Sequence, residues 1–575
     1  VRSRRQRQMC IRDRADPTKR LLAIMALSAF FLMFTPTKWT HHFGIYAGVA
    51  GVIAALGSVV LSQIAMRSPR ARTFSIAAVI FLMAISLGGW NAWWYVSSFG
   101  IPWWDRTVQF KAIEANTVVL AIGMVVLAIG LYQSLTHNSR KAEVSRWAGA
   151  MSAPIAVACI LIVAFSCASF AKGYVAQADS YSVGKGNLAS LRGDVCSLAD
   201  ATLVETNTND AFLTPVTGEL KDSLVDPEED NFGFGPNMIK EDIEPENLNS
   251  ASVGAIANTT GDSSASSNEQ KELTETEEKA TEVTDSSAGG VRGTLGVNGS
   301  EMHLPFNLDY TKVPVMGSYD ESQRSTATIT TQWYNLPDST ENTPVLAVSA
   351  AGKIYHHDVN GVEQEGTELT LEYGTLKDGK VTNKGEAELS DVGATPKWRN
   401  LRIALDELPE EANVVRLVAV DDSTDEDDWM AFTPPRVPEL ATINSQFDSS
   451  TPALLDWSVA LQFPCQRTFD HYAGVTEIPQ FRILPDAAAQ TSLTDFQSFS
   501  GGGALATAEA VNYSYEIPSY LNNDWARDWG SIEKYELRTN SQGEAPLEAK
   551  IDQEIIQRSG WWKNSEMKIR PEGEQ

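Results

Sequence analysis

Five apolar segments in the first third of the sequence constrain the fold more than any other feature. They are Leu21–Phe34, Phe43–Met66, Phe74–Trp90, Ala115–Leu135 and Ala148–Phe170. None carries a charge at its centre, and most approach the roughly twenty apolar residues that cross the hydrocarbon core of a bilayer. The pattern predicts a multi-pass α-helical membrane region with five transmembrane helices over residues 15–172.

Two short basic connections predict how these helices are oriented. They are Arg67–Arg72 (RSPRAR) and His137–Arg146 (HNSRKAEVSR), and the positive-inside rule places both in the cytoplasm. Counting alternately from there, the turn 34–44, the loop 90–106 and the chain after Phe170 lie on the opposite side. The sequence therefore predicts a plasma-membrane protein whose C-terminal region, residues 173–575, is extracytoplasmic.

Two segments differ in composition from the predicted folded regions. The composition of residues 1–14 (VRSRRQRQMCIRDR) resembles that of no later segment, and we expect these residues to be a non-native leader. Residues 241–290 are dominated by acidic and small polar side chains, which predicts a disordered insertion because little apolar area can be buried.

The formal net charge of −27 argues against a nucleic-acid partner, since phosphate binding depends on clustered lysine and arginine.

Short alternating runs begin at about residue 298 and are separated by turn residues. Examples are STATITTQWYNLP, TPVLAVSAAGKIYHH and NVVRLVAVDD. This spacing predicts an all-β sandwich or jelly roll. Such a module outside the membrane can bind sugars on exposed aromatic rings. The alternative for each candidate tryptophan is that it packs in the core or at the rim of the core. The candidates are Trp333, Trp398, Trp457, Trp525, Trp529, Trp561 and Trp562.

The turn FTPTKWTHHFG (Phe34–Gly44) places unusual side chains at the outer mouth of the predicted helices. Lys38, His41 and His42 are poor membrane anchors but good hydrogen-bond donors to an anionic phosphate. The alternative for the aromatic side chains in this turn and in the loop 90–106 is that they form an interfacial belt at headgroup depth. The turn therefore predicts a phosphate site on the extracytoplasmic side.

Cysteine placement predicts one disulfide. Cys196 and Cys465 both lie in the predicted extracytoplasmic region, where an oxidising compartment favours a bridge between them. Two buried free thiols are the alternative.

A cluster of aspartates follows one predicted strand. The segment AVDDSTDEDDW (Ala419–Trp429) includes Asp421 and Asp422, and oxygen ligands at this density can hold Ca²⁺. The spacing is not that of an EF-hand, and a solvated acidic turn is the alternative.

Eight motifs occur together between Leu21 and Trp562, and their order is that of one family. They are FTPTKWTHHFGIYAG, GPN after NFGF, TPPRVPEL, LLDW, FPCQRTFDHYAGV, RILPD, DWARDWGS and SGWW. Together they resemble the actinobacterial cell-wall arabinosyltransferases, the Emb family targeted by ethambutol.

This resemblance implies a fold and an activity. Members are membrane glycosyltransferases of the GT-C type that end in a jelly-roll carbohydrate-binding module. They transfer arabinofuranose from decaprenyl-phosphoryl arabinose to arabinan of arabinogalactan or lipoarabinomannan. The chain would be the C-terminal half of such an enzyme and, because the family's catalytic aspartate lies in an earlier loop, would be inactive alone. Implied partners are the lipid-linked donor, the arabinan acceptor, membrane lipids, and a paralogous arabinosyltransferase or an acyl carrier protein.

The resemblance also implies roles for individual residues. Asp105 is not expected to replace the missing base, because its aromatic loop gives it a sufficient role at the membrane interface. The implied donor and drug pocket consists of Trp39, His41, Trp457 and His471, with support from Lys38 and His42. Trp333 and Trp457 would be aromatic platforms for arabinan. Asp421 or Asp422 would bind a structural calcium ion.

Two other classes of protein compete with this interpretation. A membrane-anchored wall protein could use the β module to bind arabinan without any chemistry of its own. A transporter is disfavoured, because the predicted spans lack the buried charges that mark ion or substrate paths.

Overall fold

A computed structural model describes most of the chain. The described residues are 2–34, 44, 46–91, 99–104, 106–136, 153–194, 196–240, 295–302, 304–321, 325–358, 361–472, 475–486, 504–539 and 542–547. The predicted insertion 241–290 lies outside them. The chain forms two compact units, one of residues 1–93 and 101–173, the other of residues 94–100 and 174–575.

Nine α-helices lie in the described residues. They are α1 (Arg2–Leu32), α2 (Ala47–Ala65), α3 (Pro69–Ser86), α4 (Ala115–Thr136), α5 (Pro154–Ala176), α6 (Val183–Ser190), α7 (Ile443–Gln446), α8 (Trp457–Ala460) and α9 (Ala504–Glu509). Short 3₁₀ helices cover Ser197–Asp200, Thr208–Asp210, Leu220–Asp222 and Leu405–Glu407.

Four of these helices, α2 to α5, are long and apolar enough to cross a membrane. Their apolar side chains point outward, as expected where lipid is the solvent. Helices α3 and α4 pack closely because α4 has glycines where it contacts α3. A Cβ atom at Gly123 would lie 3.2 Å from the ring of Phe81, and one at Gly130 would lie 3.0 Å from the ring of Phe74. Asn91, beyond α3, donates from Nδ2 to Ser169 Oγ of α5 at 3.0 Å.

The first predicted span, Leu21–Phe34, differs from the other four. It covers the C-terminal part of α1, which begins at Arg2 and therefore includes most of the expected leader. Helix α1 is not among the four described helices that are apolar enough to span a membrane, because its N-terminal part is rich in basic residues.

The remaining elements are strands. In chain order they are β1 (Gln109–Phe110), β2 (Ile113–Glu114), β3 (Thr202–Glu205), β4 (Met316–Gly317), β5 (Ala327–Thr330), β6 (Tyr334–Asn335), β7 (Val345–Gly352), β8 (His356–His357), β9 (Glu363–Gln364), β10 (Glu368–Lys377), β11 (Lys380–Glu388) and β12 (Arg399–Ala404). They continue with β13 (Val414–Asp421), β14 (Met430–Phe432), β15 (Leu440–Thr442), β16 (Pro452–Leu455), β17 (Arg467–Thr468), β18 (His471–Tyr472), β19 (Val475–Thr476), β20 (Phe481–Leu484), β21 (Asn512–Ile517), β22 (Ser519–Leu521) and β23 (Ser531–Leu537).

Two antiparallel sheets form the larger core of the second unit. One has the order β11-β10-β13-β5 with β6 also paired to β13, and the other has the order β12-β7-β14-β4. Alternate side chains of both sheets meet in one apolar cluster, for example Leu371 and Leu417 with Val348 and Leu401. The predicted order of apolar helices followed by a β-rich region is confirmed.

A second core lies around a mixed sheet of order β17-β16-β20-β23-β21. Strand β16 runs parallel to both β17 and β20, whereas β23 is antiparallel to its neighbours. Phe463, Phe481 and Trp529 are buried in this core together with Val204 of the sheet β15-β3-β22. This mixed sheet carries the candidate site described below.

A buried ionic network joins the two cores. Arg436 Nη2 lies 2.9 Å from Glu205 Oε1 and donates to Asn400 Oδ1 at 2.7 Å, while its Nη1 donates to Ser349 Oγ at 2.8 Å. The Tyr520 hydroxyl donates to the same carboxylate at 2.5 Å. Burial and the adjacent Glu205 raise the pKa of Tyr520 well above its ordinary value, so the phenol stays protonated.

The predicted disulfide is confirmed. Cys196 and Cys465 are bonded with their Cα atoms 4.8 Å apart, and the bridge closes a separation of 269 residues. Cys159 and Cys167, both on α5, are free and exposed.

Replacing both Cys196 and Cys465 with serine should lower the free energy of unfolding of the second unit by about 2–5 kcal/mol, because the unfolded chain regains the freedom that the bridge removes. Chemical denaturation followed by tryptophan fluorescence measures the change. The matched control replaces Cys159 and Cys167 with serine and should leave the transition in place. Equal effects of the two pairs would contradict the structural role of the bridge.

Candidate functional site

Two of the predicted site residues come together at one edge of the mixed sheet. Strands β16 and β17 are parallel, with Pro452 opposite Arg467, so their carboxyl ends reach the same edge. Trp457 begins α8 just after β16, and His471 begins β18 just after β17. His471 is exposed to solvent. The structure thus places both residues at this edge, where loops beyond parallel strands commonly form binding sites.

The backbone immediately before Trp457 is held by a buried ion pair. Arg482 of β20, only 1% exposed, binds both carboxylate oxygens of Asp456 at 2.9 Å. The amide of Asp456 also donates to the carbonyl of Ile483 at 3.1 Å. A bidentate arginine pair fixes orientation as well as distance. Asp456 and Arg482 belong to the motifs LLDW and RILPD, but sequence reasoning assigned neither residue a role.

A second carboxylate faces the same arginine. Glu533 Oε2 lies 3.8 Å from Arg482 Nη1, and neither atom has a hydrogen-bond partner in the described residues. Burial raises the pKa of Glu533 to about 7; Arg482 opposes the shift and Asp456 adds to it. The Arg482 guanidinium thus faces one carboxylate held in a close pair and one that titrates near neutral pH.

This arrangement predicts a pH dependence. The folded pKa of Glu533 lies above that of an unfolded glutamate, so its contribution to stability is complete below about pH 4.5 and is lost as the pH rises through about 7. Glu533→Gln should remove this loss and raise the stability at pH 8 relative to the wild type. Melting temperatures at pH 5 and pH 8 measure it, and an unchanged difference between the two pH values in the variant would contradict it.

Trp333 lies elsewhere in the second unit, just before β6. The guanidinium of Arg416 lies over its ring, 4.8 Å from the centroid, and Arg416 also pairs with Glu229 Oε1 at 2.8 Å. A Cβ atom at Gly374 would approach the indole to 3.2 Å. The ring is therefore half-buried against the sheet of β10 and β13, and the structure does not bring it to the edge that carries Trp457.

One of the two aspartates predicted to bind calcium is already hydrogen-bonded within the protein, and the other, Asp422, is exposed. Asp421 is buried and accepts a hydrogen bond from Ser318 Oγ at 2.6 Å, and burial raises its pKa. Asp428 is paired with Lys353 Nζ at 2.7 Å. Within the described ranges, no three His, Cys, Asp or Glu side chains converge as metal ligands. Calcium at Asp421 or Asp422 stays a prediction that metal analysis can test.

The remaining predicted site residues lie outside the described part of the chain. These are Lys38, Trp39, His41 and His42 of the membrane turn. Asp105 of the aromatic loop, which was not expected to act as a base, also lies outside it.

Comparisons with known protein families match nearly the whole chain. Residues 167–568 match the family described as "EmbC C-terminal domain". Residues 2–136 match the family described as "Mycobacterial cell wall arabinan synthesis protein". The second match begins inside the segment 1–14 that we expected to be a leader.

Similar proteins bear related names. The chain is 36% identical over 559 residues to "Probable arabinosyltransferase C" of Mycolicibacterium smegmatis, covering 96% of this chain and 49% of that protein. It is 35% identical over 558 residues to the protein of the same name from Mycobacterium tuberculosis, covering 95% and 48%. The chain therefore spans about half the length of the curated relatives it matches.

A solved structure shows the same relationship in three dimensions. The cryo-EM structure of arabinosyltransferase EmbB from Mycobacterium smegmatis superposes with a TM-score of 0.75 at 34% identity, covering 93% of this chain and 49% of that one. The two family matches include both units, and the structural match extends over almost all of the chain. The chain belongs to the Emb family of arabinosyltransferases.

Proposed function

We propose that the chain supplies the lipid-donor and sugar-binding parts of an arabinosyltransferase that transfers arabinofuranose from decaprenyl-phosphoryl arabinose to cell-wall arabinan. The observation that carries this proposal is the family match of both units, residues 2–136 and 167–568. The position of Trp457 and His471 at one sheet edge supports it.

The proposal includes a topology. The membrane helices form part of a GT-C glycosyltransferase, and the β-rich region is a jelly-roll carbohydrate module on the extracytoplasmic side. The basic connections Arg67–Arg72 and His137–Arg146 support this orientation. On this arrangement the turn 34–44 shares a compartment with Trp457 and His471.

The chemistry of the donor explains the residue types in the proposed pocket. A polyprenyl phosphate carries an anionic diester at headgroup depth, where imidazole and ammonium groups donate hydrogen bonds to its oxygens. His41 binds this phosphate with help from Lys38 and His42, while Trp39, Trp457 and His471 enclose the pentose. A pocket of this kind positions the leaving phosphate for an inverting transfer.

The chain's own residues bind and orient the donor rather than remove the acceptor proton. Inverting transfer requires a base that takes the proton of the acceptor hydroxyl as the phosphate departs. By family resemblance that base is an aspartate outside this chain. We therefore propose that transfer needs the rest of the enzyme, whereas donor and arabinan binding do not.

Trp457→Ala should weaken the binding of arabinan oligosaccharides by about fivefold, equivalent to the roughly 1 kcal/mol of a lost aromatic contact. Isothermal titration of the full chain in nanodiscs measures it. Trp333→Ala tests the second proposed platform in the same assay, and the buried ion pair of Asp456 and Arg482 is left intact in both variants. Unchanged affinity in Trp457→Ala would remove this residue from the sugar site.

A further inference from the structure

A polar groove lies beside strand β21, within the second unit. Its volume is about 400 Å³, and it is lined by residues 204–210, 306–307, 446–447, 515–518 and 534. Clefts of roughly 300–1,000 Å³ are the usual size of small-ligand sites in proteins. The groove is therefore large enough for a small ligand or for part of a longer one.

The groove is separate from the edge that carries Trp457. Tyr515 of β21 pairs with Lys534 of β23, and β20 and then β16 follow across the same sheet. Three strand spacings of about 4.8 Å place β16 about 14 Å from β21, and Trp457 lies beyond the end of β16. The mixed sheet therefore carries the groove on its β21 side and the candidate site at the carboxyl end of β16.

Several polar side chains line the groove without a hydrogen-bond or ion-pair partner among the described residues. They include the amides of Asn307 and Gln446, the hydroxyl of Tyr515 and the ammonium of Lys534. Amide and ammonium groups donate hydrogen bonds, whereas amide and hydroxyl oxygens accept them. The groove thus offers both kinds of hydrogen-bonding group to a ligand that is rich in hydroxyl groups.

Tyr515 supplies an aromatic surface in this groove. Its ring is half-buried, and Lys534 Nζ lies 5.8 Å from the ring centroid. Phe447, which also lines the groove, packs against Phe481 of β20 with ring centroids 4.3 Å apart. An aromatic ring beside hydrogen-bonding groups suits a sugar, because the C–H face of the sugar packs on the ring while its hydroxyl groups bond to the polar side chains.

One wall of the groove has an unusual backbone. Phe306 and Asn307 are consecutive non-glycine residues with φ angles of 58° and 52°, a left-handed conformation that is costly for most side chains. Asn209 holds this turn, since its Nδ2 donates to the carbonyl of Asn307 at 2.9 Å and its Oδ1 accepts from the amide of Asp309 at 2.7 Å. Phe306 is buried, while Asn307 stays exposed at the groove. Strained backbone of this kind is concentrated at ligand-binding sites.

The charges in the groove favour a neutral ligand. Asp210 and Glu516 line it together with Lys534. An anion such as phosphate would meet two carboxylates as well as one ammonium, so repulsion would offset the attraction of Lys534. A neutral ligand with hydroxyl groups can instead accept a hydrogen bond from Lys534 and donate hydrogen bonds to the carboxylates.

We infer that this groove binds a neutral oligosaccharide, with the ring of Tyr515 against the C–H face of one sugar unit and Asn307, Gln446 and Lys534 bonded to its hydroxyl groups. A polymer that also reached Trp457 would bind more tightly, because its second contact becomes intramolecular. That the polymer is arabinan, and that it reaches Trp457, rests on the proposed function.

Protection of Lys534 from acetylation tests the groove directly. The full chain in nanodiscs is treated with a limiting amount of an amine-acetylating reagent, alone and with saturating arabinofuranose, galactofuranose or mannose oligosaccharide. Peptide mass spectrometry gives the rate at each lysine. We expect severalfold slower acetylation of Lys534 with the arabinofuranose oligosaccharide. Lys380, which is exposed on β11 of another sheet, is the matched control and should react at one rate throughout.

The four probes separate the possible outcomes. An unchanged rate at Lys534 with all three saccharides would overturn the inference. Inorganic phosphate is the fourth probe, and protection by phosphate alone would also overturn it, since the groove would then bind an anion. Protection by the galactofuranose or mannose oligosaccharide but not by the arabinofuranose one would support a glycan site and count against arabinan in the proposed function.

Two tyrosines of β21 provide a matched pair of variants. Tyr515→Ala should raise the saccharide concentration for half-maximal protection by about fivefold, because one aromatic contact is lost. Tyr513→Ala should leave it unchanged, since Tyr513 also lies under a cation, Arg538 at 5.5 Å, but is not among the described residues that line the groove. Gln446→Ala, at an exposed position outside the sheet, should also weaken protection by about fivefold. Equal shifts for the two tyrosine variants, or no shift for both Tyr515→Ala and Gln446→Ala, would contradict the assignment.

Discussion

Arg436→Met is expected to lower the free energy of unfolding of the β-rich unit by about 3–5 kcal/mol. The side chains of Arg436 and Glu205 are both fully buried, and among the described residues the carboxylate would keep only the Tyr520 hydroxyl as a close partner. Methionine fills much of the same volume, so the cost comes from an uncompensated buried charge rather than from a cavity. Denaturant titration followed by tryptophan fluorescence measures the change.

The control for this prediction is Arg467→Met. Arg467 pairs with Glu477 at 2.7 Å, but its side chain is 30% exposed, so water can solvate the remaining carboxylate. The expected cost is below about 1 kcal/mol. Adding Glu205→Gln to Arg436→Met should restore part of the lost stability. Similar costs for Arg436→Met and Arg467→Met would contradict the account of the buried network.

His41→Ala is expected to weaken the binding of decaprenyl-phosphoryl arabinose by about 100-fold, equivalent to about 2.7 kcal/mol, because a hydrogen bond to the charged phosphate is lost. The measurement is donor binding to the full chain in nanodiscs.

A second histidine provides the matched control. His357→Ala removes an exposed imidazole that hydrogen-bonds Glu388 in the β-rich unit, and donor affinity should stay at the wild-type value. If His41→Ala also leaves donor affinity unchanged, the phosphate role of His41 is wrong. If both variants lose affinity equally, the effect is not specific to the turn 34–44.

The parts of the structure that sequence could predict follow from strong local constraints. A bilayer requires long apolar helices, so α2 to α5 are visible as continuous apolar runs. Strand alternation and turn residues similarly marked the β-rich region. The bond between Cys196 and Cys465 followed from a shared compartment, without any knowledge of the fold.

The parts that sequence could not predict depend on contacts between distant segments. Arg482 reaches Asp456 only because β16 and β20 pair in parallel register, and Arg436 meets Glu205 across 231 residues. Trp333 was predicted as a sugar platform, and the structure shows the guanidinium of Arg416 stacked over its ring. No local pattern encodes such pairings, because strand register and sheet order decide them.

Residues 2–14 and most of the first apolar segment belong to one helix. Residues 1–14 were predicted to be a leader, α1 runs from Arg2, and the family match begins at residue 2. Arginine and glutamine are good helix formers, so this composition is compatible with a helix that continues into the apolar segment. The assignment of residues 1–14 as a leader stays a prediction.

Photo-crosslinking of the donor tests the central claim most directly, namely that the membrane turn and the sheet edge hold one lipid-linked pentose. A benzophenone amino acid is placed at Trp39 in one protein and at Trp457 in another, each in nanodiscs with radiolabelled decaprenyl-phosphoryl arabinose. We predict that both positions crosslink the donor and that excess unlabelled donor suppresses both signals. Crosslinking from Trp39 alone, with position 457 silent at saturating donor, would contradict the account.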